Sequence, residues 1–330
     1  MKIVVTGGAG FIGANLCREF ESRPGVKQVV ALDNLSTGSA DNLIGIDAAL
    51  VEGSILDQSL LRDTFAGADA VVHLAARPSV PRSVADPIAT HEANVTGTIY
   101  VLEACRREGI PLIAASSSSV YGPTLELPKH EDMPTRPQSP YAASKLAAEA
   151  YLLAYSATYQ LPALALRFFN VFGPLQSVGH AYAAVIPAFI DAALRGQPLR
   201  VHGDGQQTRD FTYVGSVVRI LADAAEGGIR NDTAVNLAFG TRTSILDVVS
   251  RLKNILGCDL QTTFEPSRKG DVRDSQAADD RLRQLFPGQT PISLDWGLVR
   301  TVEWYQGRLE RVAAPAGSHE MSVATAVSTR

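Results

Sequence analysis

Short apolar runs alternate with segments of helical periodicity along the first half of the chain. Runs rich in Val, Ile, Leu and Ala predict buried strands at residues 2–6, 28–33, 48–53, 70–76 and 111–115. Between them, helices are predicted over about 11–20, 58–65 and 87–108, and a loop over 77–83. This alternation predicts an α/β fold with a doubly wound parallel sheet, whose ligands bind beyond the carboxyl ends of the strands.

A glycine-rich turn follows the first predicted strand and precedes the first predicted helix. Its glycines are Gly7, Gly10 and Gly13. Gly7 permits a tight turn, Gly10 leaves room for a pyrophosphate, and Gly13 lets the helix pack closely on the strand. The first free N–H groups of the helix then face the phosphates. A strand, a turn and a helix in this order predict a dinucleotide site.

Three polar residues sit at informative places in this pattern. Asp33 ends the second strand twenty residues after Gly13, where a carboxylate binds ribose hydroxyls and repels a 2′-phosphate, so we expect NAD rather than NADP. His73, at the end of the fourth strand, is interpreted as a packed histidine. Asn94 lies among apolar helix positions and is expected to bond backbone near the site. After His73, the small Ala75 and Ala76 leave space for a ribose or nicotinamide.

A tyrosine and a lysine lie one helical turn apart in the middle of the chain. Ser139 is a plausible N-cap, Pro140 suits the first helical position, and Tyr141 and Lys145 then share a helix face. A nearby ammonium favours the phenolate, so we expect Lys145 to lower the pKa of Tyr141. Such a tyrosinate can take a proton from a sugar or alcohol hydroxyl while hydride leaves the carbon, with Ser117 bonded to the same oxygen.

Composition and charge narrow the classes of partner and site expected for this chain. The chain has 330 residues, a net charge of −4 and three scattered cysteines. These features predict neither nucleic-acid nor membrane binding and no metal site, and they fit a cytoplasmic protein. Residues 312–330 are predicted to be a disordered tail.

Four motifs together resemble those of the extended short-chain dehydrogenases/reductases. They are Thr6-Gly7-Gly8-Ala9-Gly10-Phe11-Ile12-Gly13, His73-Leu74-Ala75-Ala76, residues 116–122, and residues 139–145. More narrowly, residues 1–306 resemble nucleotide-sugar 4-epimerases of the UDP-glucose 4-epimerase type. The resemblance implies a Rossmann-type NAD domain over 1–170 and a smaller C-terminal α/β substrate lobe over 171–311, with 206–240 returning to the first domain.

The resemblance also implies roles for individual residues. The catalytic residues would be Ser117, Tyr141 and Lys145. The residues binding NAD would be Gly7, Gly10, Phe11, Ile12, Asp33, Asn34, Ser36, Gly38, Ser54, Ile55, Leu74, Ala75, Ala76, Asn94, Tyr141 and Lys145. The residues binding a UDP-sugar would be Ser79, Ser117, Ser118, Ser119, Asn170, Ala184, Val185, Arg209, Arg268, Asp271 and Ser275. Among these, Asn170, Arg209 and Arg268 would contact the diphosphate, and Asp271 the ribose region.

Differences from the motifs of related enzymes narrow the set of reactions that this chain is expected to catalyse. Sugar-nucleotide 4,6-dehydratases carry an Asp-Glu pair where this chain has Ser118 and Ser119, and glucuronate decarboxylases carry Glu at the second position. Asn170 stands where glucuronate 4-epimerases often have Thr. Ser275 replaces the large aromatic residue of glucose-restricted epimerases, which would leave room for an N-acetyl group.

The predicted activity is therefore interconversion of gluco and galacto UDP-hexoses through a 4-keto intermediate. UDP-N-acetylglucosamine, UDP-glucose or both are the expected substrates. A UDP-glucuronate 4-epimerase and a nucleotide-sugar dehydratase or decarboxylase remain alternatives. Members of this family tend to dimerise through two long helices of each subunit. The resemblance therefore predicts a homodimer through residues 87–108 and 141–159.

Overall fold

A computed structural model describes residues 1–178, 184–267 and 273–313. Its strands are β1 Lys2–Thr6, β2 Gln28–Asp33, β3 Ala49–Glu52, β4 Ala70–His73, β5 Leu112–Ser117, β6 Ala163–Phe168, β7 Val171–Phe172, β8 Leu199–His202, β9 Thr208–Arg209, β10 Thr212–Tyr213, β11 Val235–Leu237, β12 Thr243–Ser244 and β13 Thr262–Glu265. Its α-helices are α1 Phe11–Glu21, α2 Gln58–Phe65, α3 Val80–Ala85, α4 Pro87–His91, α5 Gly97–Glu108, α6 Pro140–Tyr159, α7 Val185–Leu194, α8 Val214–Gly227, α9 Ile245–Leu256, α10 Asp280–Leu285 and α11 Leu294–Ala313.

A seven-stranded parallel sheet forms the centre of the molecule, in the order β11-β6-β5-β4-β1-β2-β3. The predicted Rossmann-type α/β fold is thus confirmed. The order reverses between β1 and β4, so the carboxyl ends of these two strands flank a crevice. The sheet includes β11, which lies late in the sequence and pairs with β6.

Successive residues of β1 face opposite layers, as the two-residue period of a strand requires. Ile3 and Val5 belong to a core that also includes residues of α1 and α8, whereas Val4 packs in a second core with residues of α2, α5 and α6. Helices therefore cover both faces of the sheet. This arrangement explains why its strands read as continuous apolar runs rather than alternating ones.

The second half of the chain builds small sheets beside the main one. β8 pairs with β13, β7 pairs with β10, and β9 pairs with β12. Helix α11 ends at Ala313, two residues into the segment predicted as a tail, and 314–330 lie outside the described residues. Within the described ranges, no helix combines the length and apolarity that a membrane span requires.

The segment between β4 and α5 departs from the prediction. The loop predicted over 77–83 is wrong in its second half, because Val80 begins helix α3. Ser79 caps that helix and Pro81 lies in its first turn, so a proline that resembled a loop signal is a helix-start signal here. The long helix predicted over 87–108 is interrupted by a π-helical segment, Glu92–Thr96.

Candidate active site

The glycine-rich turn packs closely against neighbouring backbone, without side chains in between. A Cβ on Gly13 would lie 2.1 Å from the Gly7 carbonyl oxygen, and one on Gly7 would lie 2.7 Å from the Ala75 nitrogen. A Cβ on Gly10 would meet only the Gly7 oxygen, at 3.1 Å, so its other side is open. Gly8, which no motif distinguished, packs on β2, where its Cβ would lie 2.6 Å from the Cβ of Ala31.

The N-terminus of α1 offers free donors beside this turn. Gly10 is the N-cap and carries no capping side chain, so the first-turn N–H groups remain available for an anion. The Asp33 carboxylate accepts bonds from the Ala9 nitrogen at 3.0 Å and from the Leu35 nitrogen at 2.8 Å. These bonds hold Asp33 beside the turn, where a ribose hydroxyl can still donate to a carboxylate oxygen.

A cavity of about 600 Å³ opens at this crevice. Fifteen of the residues predicted to bind the cofactor or to act in catalysis line it: Gly7, Gly10, Phe11, Ile12, Asp33, Asn34, Ser36, Ser54, Ile55, Leu74, Ala75, Ala76, Ser117, Tyr141 and Lys145. Gly38 lies behind the turn, because its Cβ would be 2.8 Å from the Ala9 carbonyl oxygen. Phe168 and Val171 also line the cavity, although no sequence signal distinguished them from core residues.

The catalytic candidates are placed by the first turn of α6. Ser139 caps this helix by accepting the Ala142 N–H at 3.1 Å, as its sequence predicts. The Tyr141 N–H donates to the Ser83 hydroxyl at 3.0 Å. Lys145 donates from its ammonium to the Ala115 carbonyl oxygen at 2.7 Å, at the end of β5. Helix α6 is therefore fixed to both α3 and the sheet beside its reactive side chains.

Asn94 ties a loop of this cavity to the same helix. Its amide accepts the Arg77 N–H at 2.7 Å and donates to the Ser144 hydroxyl at 2.9 Å, and Ser144 in turn donates to the Tyr141 carbonyl oxygen. The prediction that Asn94 bonds backbone is confirmed. Asn94 is 2 % exposed and stands behind the cavity wall, in the π-helical segment.

Ser117 is oriented by its neighbour. Its hydroxyl oxygen accepts both the N–H of Ser119 at 3.2 Å and the hydroxyl of Ser119 at 2.9 Å. Both lone pairs are then engaged, so Ser117 acts as a donor. A hydrogen bond from Ser117 lowers the pKa of Tyr141, and both side chains line the first cavity.

Burial dominates the titration of this site and corrects one expectation. It raises the pKa of Tyr141, against the smaller lowering effect of Ser117, so the predicted lowering by Lys145 is not observed in the protein alone. Burial also lowers the pKa of Lys145 from 10.5 to about 8. The pKa of His73 falls to about 3 through burial and through Lys145, and its ring bonds Thr6 and Thr98. His73 is thus a neutral packed histidine, as predicted.

A buried ion pair anchors α6 one turn after Lys145. Glu149 accepts two bonds from the Arg167 guanidinium, at 2.6 and 3.0 Å, and one from the Ser116 hydroxyl at 2.6 Å. Both charged side chains are at most 6 % exposed. Because a buried pair of this kind is costly to break, it fixes α6 against β5 and β6.

A second, smaller cavity of about 280 Å³ shares Asn170 and Val171 with the first. Ala184, Val185 and Arg209 line it, together with Phe211 and residues of α7 and β8. Asn170 has φ +34° and donates from its amide to the Asp210 carbonyl oxygen at 3.2 Å. The two cavities meet at this residue, so a ligand at Asn170 can reach both.

The remaining residues predicted to bind substrate are placed unequally. Ser118 lines the first cavity, whereas Ser79, Ser119 and Ser275 line neither of these two cavities in the described ranges. Ser79 has φ +96°, and Ser275 is 7 % exposed. Arg268 and Asp271, and with them the proposed second phosphate contact, lie outside the described residues.

Comparison with known proteins places this geometry in a family. Residues 3–238 match the model of the NAD dependent epimerase/dehydratase family. The chain belongs to this family. Like its relatives, it is an NAD-dependent enzyme.

Three known proteins show how similar this chain is to its relatives in sequence and structure. UDP-glucose 4-epimerase of Mycolicibacterium smegmatis is 37 % identical over 320 residues, covering 93 % of this chain and 99 % of that protein. UDP-N-acetylglucosamine 4-epimerase from Methanobrevibacter ruminantium, solved with UDP-N-acetylmuramic acid, is 34 % identical with a TM-score of 0.88, covering 93 % and 98 %. Thermus thermophilus UDP-glucose 4-epimerase, solved with NAD, is 33 % identical with a TM-score of 0.83, covering 93 % and 99 %.

The residues of the first cavity fit NAD. An added Cβ on Gly10 would meet only the Gly7 oxygen, so this backbone is open to a ligand, and the uncapped end of α1 beside it suits a pyrophosphate. Asp33 suits a ribose that carries two free hydroxyls, and it would repel a 2′-phosphate. Lys145 and Tyr141 line the same cavity, and their ammonium and hydroxyl would suit the hydroxyls of a nicotinamide ribose.

Proposed function

We propose that this chain is a nucleotide-sugar 4-epimerase that interconverts gluco and galacto UDP-hexoses. The observation that carries the proposal is that Ser117, Tyr141 and Lys145 meet in one cavity, which joins a second cavity at Asn170. The homologous 4-epimerases support the UDP-sugar class. We further propose that the small Ser275, although it lines neither cavity among the described residues, leaves room for an N-acetyl group, so that UDP-N-acetylglucosamine is the faster substrate.

Each residue has a distinct task in the proposed reaction. NAD supplies reversible hydride transfer at C4 of the sugar. Tyr141 takes the C4 hydroxyl proton as that oxygen becomes a carbonyl, and returns it when the hydroxyl re-forms on the opposite face. Ser117 donates to the same oxygen and keeps it in line. Lys145, one turn along α6, favours the phenolate of Tyr141 when it is protonated.

The second cavity would hold the nucleotide while the sugar turns. Arg209 and Asn170 suit the diphosphate, because a guanidinium and an amide give charge-assisted and neutral bonds to its oxygens. Only the sugar then needs freedom to present its other face. Ser118 and Ser119 provide no carboxylic acid or carboxylate for elimination, which favours epimerisation over dehydration.

The test is to incubate the purified protein with UDP-N-acetylglucosamine, UDP-glucose or UDP-glucuronate, without added reductant. Proton NMR should show the galacto isomer of a UDP-hexose, with unchanged mass and UDP-N-acetylglucosamine fastest. Tyr141→Phe should slow the conversion by about 10²–10⁴-fold while NAD remains bound. A product lighter by water or carbon dioxide, or conversion of none of the three, would overturn the proposal.

We also propose a homodimer through the predicted four-helix face. Apolar side chains are exposed on α3, α4 and α6: Val80, Val84, Ile88, Tyr151 and Tyr159, with Val84 64 % and Ile88 69 % exposed. These three helices contact one another, and exposed apolar side chains on adjoining helices are typical of protein interfaces. A second copy that covered this face would also stiffen α6, which carries Tyr141 and Lys145.

A further inference from the structure

The serine-rich end of β5 is bonded to α6 at two consecutive residues. The Ala115 carbonyl oxygen accepts a bond from the Lys145 ammonium at 2.7 Å. The Ser116 hydroxyl donates to the Glu149 carboxylate at 2.6 Å. Ser117 is the next residue of the chain, so its place relative to α6 depends on these two bonds.

Glu149 lies on the same face of α6 as the reactive side chains. Tyr141, Lys145 and Glu149 are spaced by four residues, so they follow one another on successive turns. Tyr141 and Lys145 line the first cavity, whereas Glu149 lines neither of the two cavities. One helix face therefore carries the proposed base at one end and the bond to the serine strand at the other.

The Arg167 side of the ion pair holds the segment that follows Ser117. Arg167 donates two bonds to Glu149, at 2.6 and 3.0 Å, and its guanidinium lies 4.7 Å from the centroid of the Tyr121 ring. Tyr121 ends the 3₁₀ turn Ser118–Tyr121, which begins directly after β5. The ion pair thus contacts the chain directly before Ser117 and again four residues after it.

Stability alone does not account for two charges at this place. Both side chains are at most 6 % exposed, and the loss of water around two buried charges offsets much of their attraction. Apolar side chains of similar size would pack α6 on the sheet without that cost. They would lack direction, however, whereas the carboxylate accepts bonds from three defined donors. The network therefore suits the fixing of positions more than the addition of stability.

We propose that Glu149 is a positioning residue, which acts through Ser116 to hold the Ser117 hydroxyl in register with the Tyr141 hydroxyl. The inference rests on the proposed function, because the two hydroxyls must meet at one substrate oxygen in that reaction. The same register also has an effect without substrate. A hydrogen bond from Ser117 lowers the pKa of Tyr141, so loss of the register should raise this pKa.

The experiment compares Ser116→Ala, Glu149→Gln and the control Tyr155→Phe in the NAD-bound protein. Ser116→Ala removes only the bond to the strand end and leaves the ion pair in place, so it tests the role even if Glu149→Gln does not fold. The Tyr155 hydroxyl donates to Glu103 at 2.9 Å, so it anchors the same helix to α5 instead of to β5.

Ser116→Ala and Glu149→Gln should each lower kcat for the preferred UDP-hexose by about tenfold or more, with KM within about threefold, because the reacting groups are misplaced rather than removed. The double variant should be no more than about twofold slower than Glu149→Gln, since both changes break one link. Tyr155→Phe should keep kcat within about twofold of the wild type. A wild-type kcat in Ser116→Ala would overturn the inference. Losses that multiply in the double variant would do so as well, because the two residues would then act separately.

The phenolate titration of Tyr141 tests the same role without a substrate. It is measured by ultraviolet absorbance, as the difference between each protein and its Tyr141→Phe counterpart. Ser116→Ala should move this titration to higher pH, whereas Tyr155→Phe should leave it unchanged. If the wild type converts none of the UDP-sugars while Ser116→Ala still moves the titration, the proposed function fails and the positioning role of Glu149 stands. An unchanged titration in Ser116→Ala would reject the positioning role, with or without turnover of a UDP-sugar.

Discussion

At the scale of single residues, burial rather than sequence spacing sets the chemistry of the site. The i, i+4 spacing of Tyr141 and Lys145 is as predicted, and both side chains line one cavity. Yet burial raises the pKa of Tyr141 and lowers that of Lys145, because each loses water around its charged form. The charge state of the pair is therefore a property of the folded environment.

Lys145→Met should change how stability depends on pH in the NAD-free protein. With a folded pKa of about 8 against 10.5, Lys145 is neutral in the folded protein and protonated in the unfolded chain between these values. The free energy of unfolding then rises with pH across this window. Without Lys145 this rise is lost. The free energy of unfolding of the wild type, minus that of the variant, should therefore increase by about 1–3 kcal/mol between about pH 7.5 and 10.

Urea titrations at several pH values give this difference directly. Lys253→Met is the matched control, since Lys253 is exposed and paired with Asp259 on the surface. Its curve should run parallel to that of the wild type. Parallel curves for Lys145→Met as well would show that Lys145 keeps an ordinary pKa in the folded protein.

At the scale of elements, the strand–turn–helix unit over β1 and α1 depends on contacts too close for a side chain. The closest is at Gly13, whose added Cβ would lie 2.1 Å from a backbone oxygen that cannot move without opening the turn. The same turn carries the free N–H groups of α1. Packing of the helix and binding of the cofactor are therefore linked through one residue.

Gly13→Ala should weaken NAD binding by at least about tenfold and destabilise the fold by about 1–3 kcal/mol, as overpacking does. The bound NAD released on denaturation and the melting temperature measure the two effects. Gly288→Ala is the control, because a Cβ there would meet nothing within 4 Å. Full NAD occupancy in Gly13→Ala would contradict the close packing of this turn.

At the scale of the whole molecule, the exposed apolar side chains of α3, α4 and α6 are the basis of the proposed homodimer. Val84 on α3 and Ile88 on α4 are the most exposed of these side chains, although both helices pack on α6. An interface there would bury both side chains, neither of which lines either cavity. The association would then support α6.

Sedimentation should therefore give a dimer for the wild type, and Ile88→Asp should shift it toward monomer with a dissociation constant raised about 10–100-fold. A buried charge without a partner is the physical cause. Ile44→Asp is the control, because Ile44 is 73 % exposed and lies outside α3, α4 and α6. A monomeric wild type would reject the four-helix interface.

The sequence by itself determined the sheet, the glycine turn and the positions of Ser117, Tyr141 and Lys145. Each depends on local rules: apolar period, turn geometry and helix spacing. The tertiary structure decided what depends on distant segments, such as the pKa values of the site and the place of Phe168 in the cavity wall. His73 is the clearest case. Its ring bonds Thr6 and Thr98, and burial and Lys145 lower its pKa to about 3, so its state depends on distant segments that no local pattern encodes.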